Sequence, residues 1–419
     1  MRQVGCGIGI QLELDGHRLI QLYDVYSWIM DPAAFRDSPV GSLLRINGVD
    51  GRTGESYESV AFLPHPLPES IELTPATWTA VAQTEADLAR LDQAARHIPE
   101  PGLVRQSTIR REAQSTSALE GTFAPFEDVL ASDLEERAEL SLEMREILNY
   151  IVTATQAFEW IEERPITVGM LCSLQRILVD GTPSELGDAG RIRDRQVYIG
   201  ARDAPIEQAR YVPPAPGDQL TAGLEQWVAW VAEPQTEMPA IVQAALAHHQ
   251  FEALHPFSDG NGRIGRLVIV LQLMRLGVLQ DPLLVVSPWF EVRRERYHDE
   301  LLALVRGGDW DRWVSFFAAG VGASAVSTRE RVDALLAWRE QALEKVRAAG
   351  ISGIAERVAG ELIGAPTVRA GQVAARHGIT HQGAIRALRR LADLHIISER
   401  ARNGRVAFTA TAVVELLSR

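Results

Sequence analysis

A short segment in the middle of the chain combines residue types that together can bind phosphate and move a proton: His255-Pro256-Phe257-Ser258-Asp259-Gly260-Asn261-Gly262-Arg263-Ile264-Gly265-Arg266. Gly260, Asn261 and Gly262 can adopt unusual backbone angles, which turn successive N–H groups inward and form a concave anion site. The apolar run that follows, residues 267–274, predicts a buried helix that starts near Gly262. Its free amides and its positive dipole end would add to the same anion site.

The charged side chains of this segment suit a transfer reaction at a phosphate group. Arg263 and Arg266 are three residues apart, so both guanidiniums fall on one helix face and can fork onto neighbouring phosphates. Asp259 offers a hard oxygen ligand, which suits Mg²⁺ better than zinc. His255 follows a predicted helix and could accept a proton from a hydroxyl near neutral pH. A structural turn needs only the glycines, and a P-loop is excluded because Lys345 is the only lysine of the chain.

The segment resembles the signature of the Fic family, His-Pro-Phe-x-Asp/Glu-Gly-Asn-Gly-Arg-x-x-Arg, and fills every specified position. The resemblance implies a mainly α protein with an all-helical Fic-type core, which transfers AMP from Mg·ATP to a Ser, Thr or Tyr hydroxyl of a protein, itself included. ATP is then the implied nucleotide and Mg²⁺ the implied cofactor. Doc-type relatives, which are kinases, carry lysine where this chain has Gly262, so the resemblance favours nucleotidyl transfer.

Carried onto this sequence, the resemblance gives each polar residue of the segment a role. His255 is the base that takes the proton of the target hydroxyl, and Asp259 holds Mg²⁺ between the α- and β-phosphates. Arg263 neutralises charge on the transferring and leaving phosphates, while Arg266 reaches the γ-phosphate. The implied ATP-binding stretch consists of Gly260, Asn261, Gly262, Arg263, Ile264, Gly265 and Arg266.

A second motif lies upstream, where Thr116-Ser117-Ala118-Leu119-Glu120-Gly121 resembles the inhibitory motif of the family, Ser/Thr-x-x-x-Glu-Gly/Asn. The resemblance implies that Glu120 pairs with Arg266, so that ATP binds in a non-productive pose. In physical terms a carboxylate and a phosphate compete for one guanidinium, and each blocks the site of the other. Because the motif precedes the loop in the same chain, the implied regulation is intramolecular autoinhibition.

A short strand is predicted near residue 197, where apolar residues alternate after a turn-forming segment at 187–190. The stretch Arg191–Gly200 resembles the β-hairpin flap of Fic proteins, whose free edge would take the target segment by β-augmentation. The expected docking residues are Val197, Tyr198 and Ile199. The alternative is a surface hairpin without a partner.

One departure from the family pattern leaves the nucleotide base open. Fic relatives often have an Asn-Arg pair downstream that contacts adenosine, whereas this chain has Arg293 at the position expected for asparagine. Two alternatives keep the enzyme but change its outcome, namely UMP transfer and removal of AMP with Glu120 orienting a water. A third makes the chain a transcriptional regulator whose pocket senses nucleotide. His255 argues against pure sensing, which needs a phosphate site but no base.

The length and composition of the whole chain limit the classes of protein to which it can belong. With 419 residues and 46% hydrophobic content, it can form two to three domains. A net charge of -13 argues against general affinity for nucleic acid or membranes. Cys6 and Cys172 lie far apart and outside all motifs, which gives no support to a disulfide or a zinc site. Neither a signal peptide nor a membrane-spanning run is found, so a cytoplasmic protein without membrane association is predicted.

Five segments are predicted along the chain. Residues 1–60 form a small β-containing N-terminal extension, and residues 61–135 resemble the N-terminal module that is often fused to Fic cores, with the inhibitory helix. The catalytic core covers residues 136–325, and a linking helix follows over 326–350. Residues 351–419 form the last segment, which is separate in composition.

This last segment has the pattern of a winged helix-turn-helix, with a short helix, a glycine turn, a second helix and two short strands. It is locally basic in an otherwise acidic chain. The candidate DNA contacts are Gln382, Arg386 and Arg389 on the second helix and Arg402 and Arg405 in the wing. The alternative is a protein-interaction or dimerisation module with a solvated basic face, which would make the chain a homodimer.

Overall fold

The structure, a computed structural model, describes residues 32–50, 54–96, 98, 100–134, 140–185, 187–200, 204–233, 237–402 and 405–418. It is mostly helical with small antiparallel sheets, which confirms the predicted fold class. Residues 1–31 of the predicted N-terminal extension lie outside the described residues. Within these ranges, no helix combines the length and the apolar character needed to cross a membrane.

A β-hairpin represents the expected N-terminal extension. After a 3₁₀ turn at Pro32–Phe35, strand β1 (Gly41–Val49) pairs antiparallel with β2 (Ser56–Pro64) over its full length. Phe62 of β2 packs against Tyr211, with ring centroids 6.2 Å apart, and its backbone N–H donates to Val212 O at 2.8 Å. The hairpin therefore lies directly beside the segment that was predicted to be the flap.

Three helices follow the hairpin: α1 (Pro75–Ala95), α2 (Pro101–Leu119) and α3 (Phe126–Leu130). The Thr74 hydroxyl accepts a hydrogen bond from Thr77 N at 3.3 Å and so caps α1, where a proline occupies the first turn. The second helix, α2, buries residues on most of its surface and ends at Leu119, just before Glu120. The inhibitory motif is therefore the end of a buried helix.

The central helices are α4 (Leu142–Glu163), α5 (Val168–Val179), α6 (Asp218–Ala232), α7 (Ala240–Leu254), α8 (Asn261–Arg275), α9 (Ser287–Glu291) and α10 (Arg294–Gly307). Helices α7 and α8 are buried on nearly every side and pack on each other at the centre. A helix buried in this way must be surrounded by others, and α4, α6 and α11 are among the helices around the pair. The apolar run 267–273 is fully buried in α8, as predicted.

A single helix of 39 residues, α11 (Trp310–Ala348), replaces the predicted linking helix and the end of the predicted core. It begins at Trp310 rather than near residue 327, with Asp309 as its N-cap. No proline interrupts the sequence, and Gly320 and Gly322 sit where a Cβ would crowd Trp289 and Thr84. The glycines therefore permit close packing of the helix rather than ending it.

The C-terminal elements are α12 (Ile354–Glu361), β3 (Thr367–Val368), α13 (Ala370–His377), α14 (His381–Asp393), β4 (Ser398–Arg402), β5 (Arg405–Thr409) and α15 (Thr411–Ser418). Their strands form an antiparallel sheet in the order β3-β5-β4. Thr380 caps α14 by accepting from Gly383 N at 3.1 Å, and Gly378, at φ 62°, ends α13.

The described residues form several hydrophobic cores, and α2 belongs to the two largest. Val104, near its start, packs with the C-terminal elements, whereas Ala113 and Leu119 pack with the central helices. The Ser107 hydroxyl also donates to Ile363 O after α12. One helix thus links the C-terminal region to the loop at the start of α8.

Candidate functional site

His255 ends α7 in a backbone conformation that is uncommon for a residue with a side chain. Its φ and ψ are 49° and 60°, in the left-handed region, and its N–H donates to Phe251 O at 3.0 Å. The ring Nδ1 lies 3.3 Å from Glu252 O, a contact in which Nδ1–H is the donor and Nε2 keeps its lone pair. The imidazole lines a cavity of about 600 Å³.

The turn between α7 and α8 is closed by a side chain that was expected to contact phosphate. Asn261 Oδ1 accepts from Phe257 N at 2.9 Å, and its Nδ2 donates to Phe257 O at 2.8 Å. Because Asn261 is buried, its amide shapes the loop. Ile264 was also expected to bind ATP, but its side chain is fully buried in the hydrophobic core, so only its backbone can contribute. Gly260, at φ 86°, is the N-cap of α8.

Arg263 and Asp259 lie together at the start of α8. Arg263 Nη2 donates to Asp259 Oδ1 at 2.9 Å, and its Nη1 lies 3.7 Å from Glu146 Oε2. The Ser184 hydroxyl also donates a hydrogen bond to Asp259 Oδ2. Arg263 is buried, whereas the Asp259 side chain is 40% exposed. Asp259 can therefore still offer an oxygen to a cation. A single carboxylate ligand fits Mg²⁺, whose other ligands would be phosphate and water oxygens.

Arg266 is buried and makes three contacts with the inhibitory motif. Its Nε donates to Thr116 Oγ1 at 2.8 Å, and its Nη2 donates to Thr116 O at 3.1 Å and to Glu120 Oε1 at 2.6 Å. Burial alone would raise the pKa of Glu120, but the attraction of Arg266 and its hydrogen bond outweigh burial and hold the pKa below its usual value. Glu120 is thus ionised and paired at neutral pH.

Gly262 is required by this arrangement. A Cβ built on Gly262 would overlap Glu120 Oε1 and would come within 3.0 Å of Arg266 Nη1. Any larger residue at position 262 must push the Glu120 carboxylate away. The glycine that distinguishes this loop from a Doc-type loop therefore also makes room for the Glu120 carboxylate.

Burial and the nearby Arg193 guanidinium lower the pKa of His255 to about 4, although Glu120 and Asp259 act in the opposite direction. The imidazole is therefore neutral near pH 7 and its Nε2 can accept a proton. Glu252, one turn earlier on α7, also faces the cavity, and burial raises its pKa to about 7 despite the opposing Arg266.

The sequence interpretation missed Glu252 and a hydrogen-bonded chain behind Arg266. His248 Nδ1 lies 3.1 Å from Gly265 O, and its Nε2 lies 2.7 Å from the Tyr297 hydroxyl. Positions 248, 252 and 255 share one face of α7 at helical spacing, which is a signal that could have grouped them. Glycine at position 265 leaves room for Glu252, because a Cβ there would overlap Glu252 Oε1.

The predicted flap strand is reduced to one antiparallel bridge, between Ile199 and Tyr211. Ile199 N donates to Tyr211 O at 2.8 Å and Tyr211 N donates to Ile199 O at 3.1 Å, while Val197 lies in irregular backbone. Pairing cannot extend along the partner, because Pro213 and Pro214 follow and lack N–H groups.

The N-terminal hairpin braces this segment, a contact that was not predicted from sequence. The Tyr198 hydroxyl lies 2.8 Å from Asp50 Oδ2, next to the end of β1, and 2.9 Å from Ala204 O. Tyr198 and Ile199 both line the cavity that contains His255. The structure therefore brings the predicted base, Arg266, Glu120 and the rim of the predicted flap to one cavity.

Arg293, the departure from the family pattern, does not line the cavity. Its guanidinium lies 4.3 Å from the ring centroid of Trp289, on the exposed side of α10. Arg294, Tyr297 and His298 line the cavity instead. These three side chains, unlike that of Arg293, face the cavity.

The C-terminal candidates share one exposed face of α14, where Gln382, Arg386 and Arg389 project to solvent. The side chains of Arg402 and Arg405 lie outside the described part of the structure. The start of α13 contacts the N-terminal module, since Gln372 Nε2 donates to Asp133 O at 2.7 Å. Part of the predicted helix-turn-helix is therefore covered within the chain.

Two segments of the chain match known protein families. Residues 165–273 match the profile described as Fic/DOC family, and residues 78–159 match Fic/DOC family N-terminal. The first segment contains the His255 loop and the second contains Glu120.

Curated relatives agree with this assignment. Protein adenylyltransferase Fic of Drosophila ananassae is 30% identical over 254 residues, which cover 60% of this chain and 45% of that protein. The protein of the same name from Culex quinquefasciatus is 34% identical over 132 residues, covering 31% of this chain and 23% of its own. The matched part of the chain thus spans less than half the length of these relatives.

The fold is shared with a solved structure. A Fic family protein from Desulfovibrio desulfuricans G20 superposes with a TM-score of 0.52 at 21% identity, covering 81% of this chain and 97% of that one. At this identity the likeness shows the fold.

Proposed function

We propose that this chain is a protein adenylyltransferase, which moves AMP from Mg·ATP to a hydroxyl of a protein and is held back by Glu120. One observation carries the proposal. The neutral His255 imidazole and the Arg266 guanidinium line the same cavity at the two ends of a complete Fic-type loop. The relatives named protein adenylyltransferase support the same reaction.

The chemistry follows from the positions of these groups. His255 Nε2 accepts the proton of the target hydroxyl, whose oxygen then attacks the α-phosphorus while the bond to the bridging oxygen of pyrophosphate breaks. The free amides at the start of α8 and the guanidiniums of Arg263 and Arg266 stabilise the charge on the phosphates. Asp259 would hold Mg²⁺, which neutralises charge on the α- and β-phosphates. Most of the catalytic effect would come from position and charge.

Autoinhibition follows from the contact between Glu120 and Arg266. Arg266 is the expected partner of the γ-phosphate, but its Nη2 already donates to Glu120 Oε1 at 2.6 Å. Two anions cannot share this guanidinium without mutual repulsion, so ATP must displace Glu120 or bind out of line. Removal of the carboxylate should therefore activate the enzyme.

Labelled ATP tests the reaction and its control together. Glu120→Gly is expected to label itself from α-³²P-ATP more strongly than wild type, and the added change His255→Ala is expected to abolish the label. Label from γ-³²P-ATP instead would make the chain a kinase. Release of AMP from labelled protein on adding back wild type would favour the AMP-removing alternative. The absence of any label in Glu120→Gly would refute the proposal.

A second function, DNA binding, is favoured by the exposed arginines on α14. We interpret α12–α15 as a winged helix-turn-helix in which Arg386 and Arg389 would meet the duplex. Binding to duplex DNA should weaken as salt is raised and on Arg389→Ala. Binding that is absent or insensitive to salt would favour a protein-interaction module.

A further inference from the structure

A buried arginine of the flap segment touches the residue that ends α7. Arg193 is 1% exposed, and its Nε donates to His255 O at 2.9 Å. Its Nη1 donates to Arg195 O at 3.1 Å and its Nη2 donates to Pro214 O, while its backbone N–H donates to Pro256 O at 3.0 Å. Every one of these acceptors is a backbone carbonyl. Across the described ranges, no carboxylate lies within ion-pair distance of this guanidinium.

The contact with His255 acts on a strained position. A left-handed backbone is unfavourable for a residue with a side chain, because Cβ then crowds the following carbonyl oxygen. The His255 carbonyl is also one of the carbonyls that a helix leaves without an internal partner at its end. Arg193 supplies that partner with a charge-assisted hydrogen bond, the stronger kind. Backbone angles set the direction of the Cα–Cβ bond, so the bond that holds the carbonyl also sets the direction in which the imidazole leaves the backbone. The contact between Nδ1 and Glu252 O, at 3.3 Å, then orients the ring.

The remaining contacts of the same guanidinium reach the two sides of the flap segment. Arg195 precedes the bridge residue Ile199, and Pro214 follows its partner Tyr211. A guanidinium is planar, and its donors point in fixed directions. Three carbonyls bonded to one rigid group cannot move independently, so the target-holding segment and the base are tied together.

We propose that Arg193 is a positioning residue, which holds the His255 imidazole and the flap segment in one fixed geometry. It touches neither substrate nor the reacting atoms and acts through His255. Its kinetic consequence rests on the proposed adenylyl transfer. Three charged groups act on the imidazole: Arg193, which lowers the pKa of His255, and Glu120 and Asp259, which raise it.

The kinetic test uses the full chain with Glu120→Gly as the active parent. Arg193→Met removes the fork, Arg193→Lys keeps only the charge, and Arg191→Met is the matched control, because that exposed guanidinium donates to Gly187 O. Arg193→Met should slow incorporation of α-³²P label on the order of 100-fold, the effect of a misplaced base. The Kd for Mg·ATP should change less than about twofold. Arg193→Lys should recover little of the rate, and the control should match the parent.

A second measurement needs no activity. In protein with isotope-labelled histidine, the NMR pKa of His255 should rise in Arg193→Met towards its ordinary value, and it should stay unchanged in Arg191→Met. A parental labelling rate in Arg193→Met, a loss of ATP affinity as large as the loss of rate, or an unchanged His255 titration would each overturn the proposal. If Arg193→Met does not fold, Arg193→Lys decides by the labelling rate and the Kd for Mg·ATP alone, because lysine keeps the positive charge and should leave the His255 titration unchanged. A parent that takes up no label refutes adenylyl transfer alone, and the titration still decides on Arg193.

Discussion

Substitution of Glu120 by glutamine isolates the charge of the inhibitory contact. The side chain keeps its size and its place beside Gly262, but it loses the negative charge that pairs with Arg266. The γ-phosphate of ATP would then meet an arginine that keeps its hydrogen bonds to Thr116 but faces a neutral amide in place of the Glu120 carboxylate. Labelling from ATP should therefore rise even though nothing has been removed from the cavity wall.

The size of the effect follows from the contact. A hydrogen bond between charged groups contributes about 1.5–3 kcal/mol. Because the Glu120 side chain is 39% exposed, solvent screening reduces this to about 1–2 kcal/mol. At about 1.4 kcal/mol per factor of ten, the labelling rate at low ATP should increase about 5- to 30-fold. Glu120→Gly should exceed this, since it also opens space over Gly262.

The assay is the initial rate of α-³²P incorporation at ATP concentrations well below saturation, with Glu127→Gln on α3 as the control for a lost surface charge. The pKa of Glu120 is lowered in the folded protein, so the ion pair persists at neutral pH and is lost only as the pH falls through that lowered value. Labelling by Glu120→Gln at the wild-type rate would refute competition for Arg266 as the mechanism of control.

Three further outcomes are expected. Glu112→Ala should lower stability by about 2–3 kcal/mol in urea unfolding, because the buried carboxylate accepts from Ser287 N at 2.9 Å and its loss leaves that N–H without a partner. A change below about 0.5 kcal/mol would contradict this reasoning. Asn261→Ala should slow labelling in the Glu120→Gly background, since both hydrogen bonds with Phe257 disappear. Asn261→Asp keeps only the acceptor and should retain part of the rate. Equal rates in the Glu120→Gly parent and in both Asn261 variants would count against the role of Asn261 in shaping the loop. The labelling rate of Glu120→Gly should fall as the pH approaches the pKa of His255, because a protonated imidazole cannot accept a proton. That pKa is about 4 when Glu120 is present, and loss of Glu120, which raises it, should move the midpoint no higher; a midpoint near the ordinary histidine value would contradict the assigned base.

The loop chemistry could be predicted from sequence because its residues are adjacent in the chain. A base, an acid and two arginines within twelve positions need only a turn and a helix start to meet. The Glu120 contact required the family resemblance as well, since 146 residues separate it from Arg266. Helix α8 was predicted from its apolar run for the same local reason.

Other parts of the site depend on long-range packing that periodicity does not encode. In the sequence, Arg193 is one of several polar residues before a predicted strand, and nothing distinguishes it from them. In the structure its guanidinium is enclosed by carbonyls from three segments. The flap strand was expected from alternation, but its partner runs into Pro213 and Pro214. The predicted helix boundary near residue 327 was wrong because the glycines of α11 pack closely against neighbours, which composition alone does not reveal.

The most direct test of the proposed adenylyl transfer is a crystal structure of Glu120→Gly with Mg²⁺ and a non-hydrolysable ATP analogue. We expect the γ-phosphate to accept hydrogen bonds from Arg266 and the β- and α-phosphates to lie over the start of α8. His255 Nε2 should face the α-phosphate from the side opposite the leaving group. An empty cavity, or a nucleotide whose α-phosphate lies out of reach of a hydroxyl bonded to His255, would contradict it.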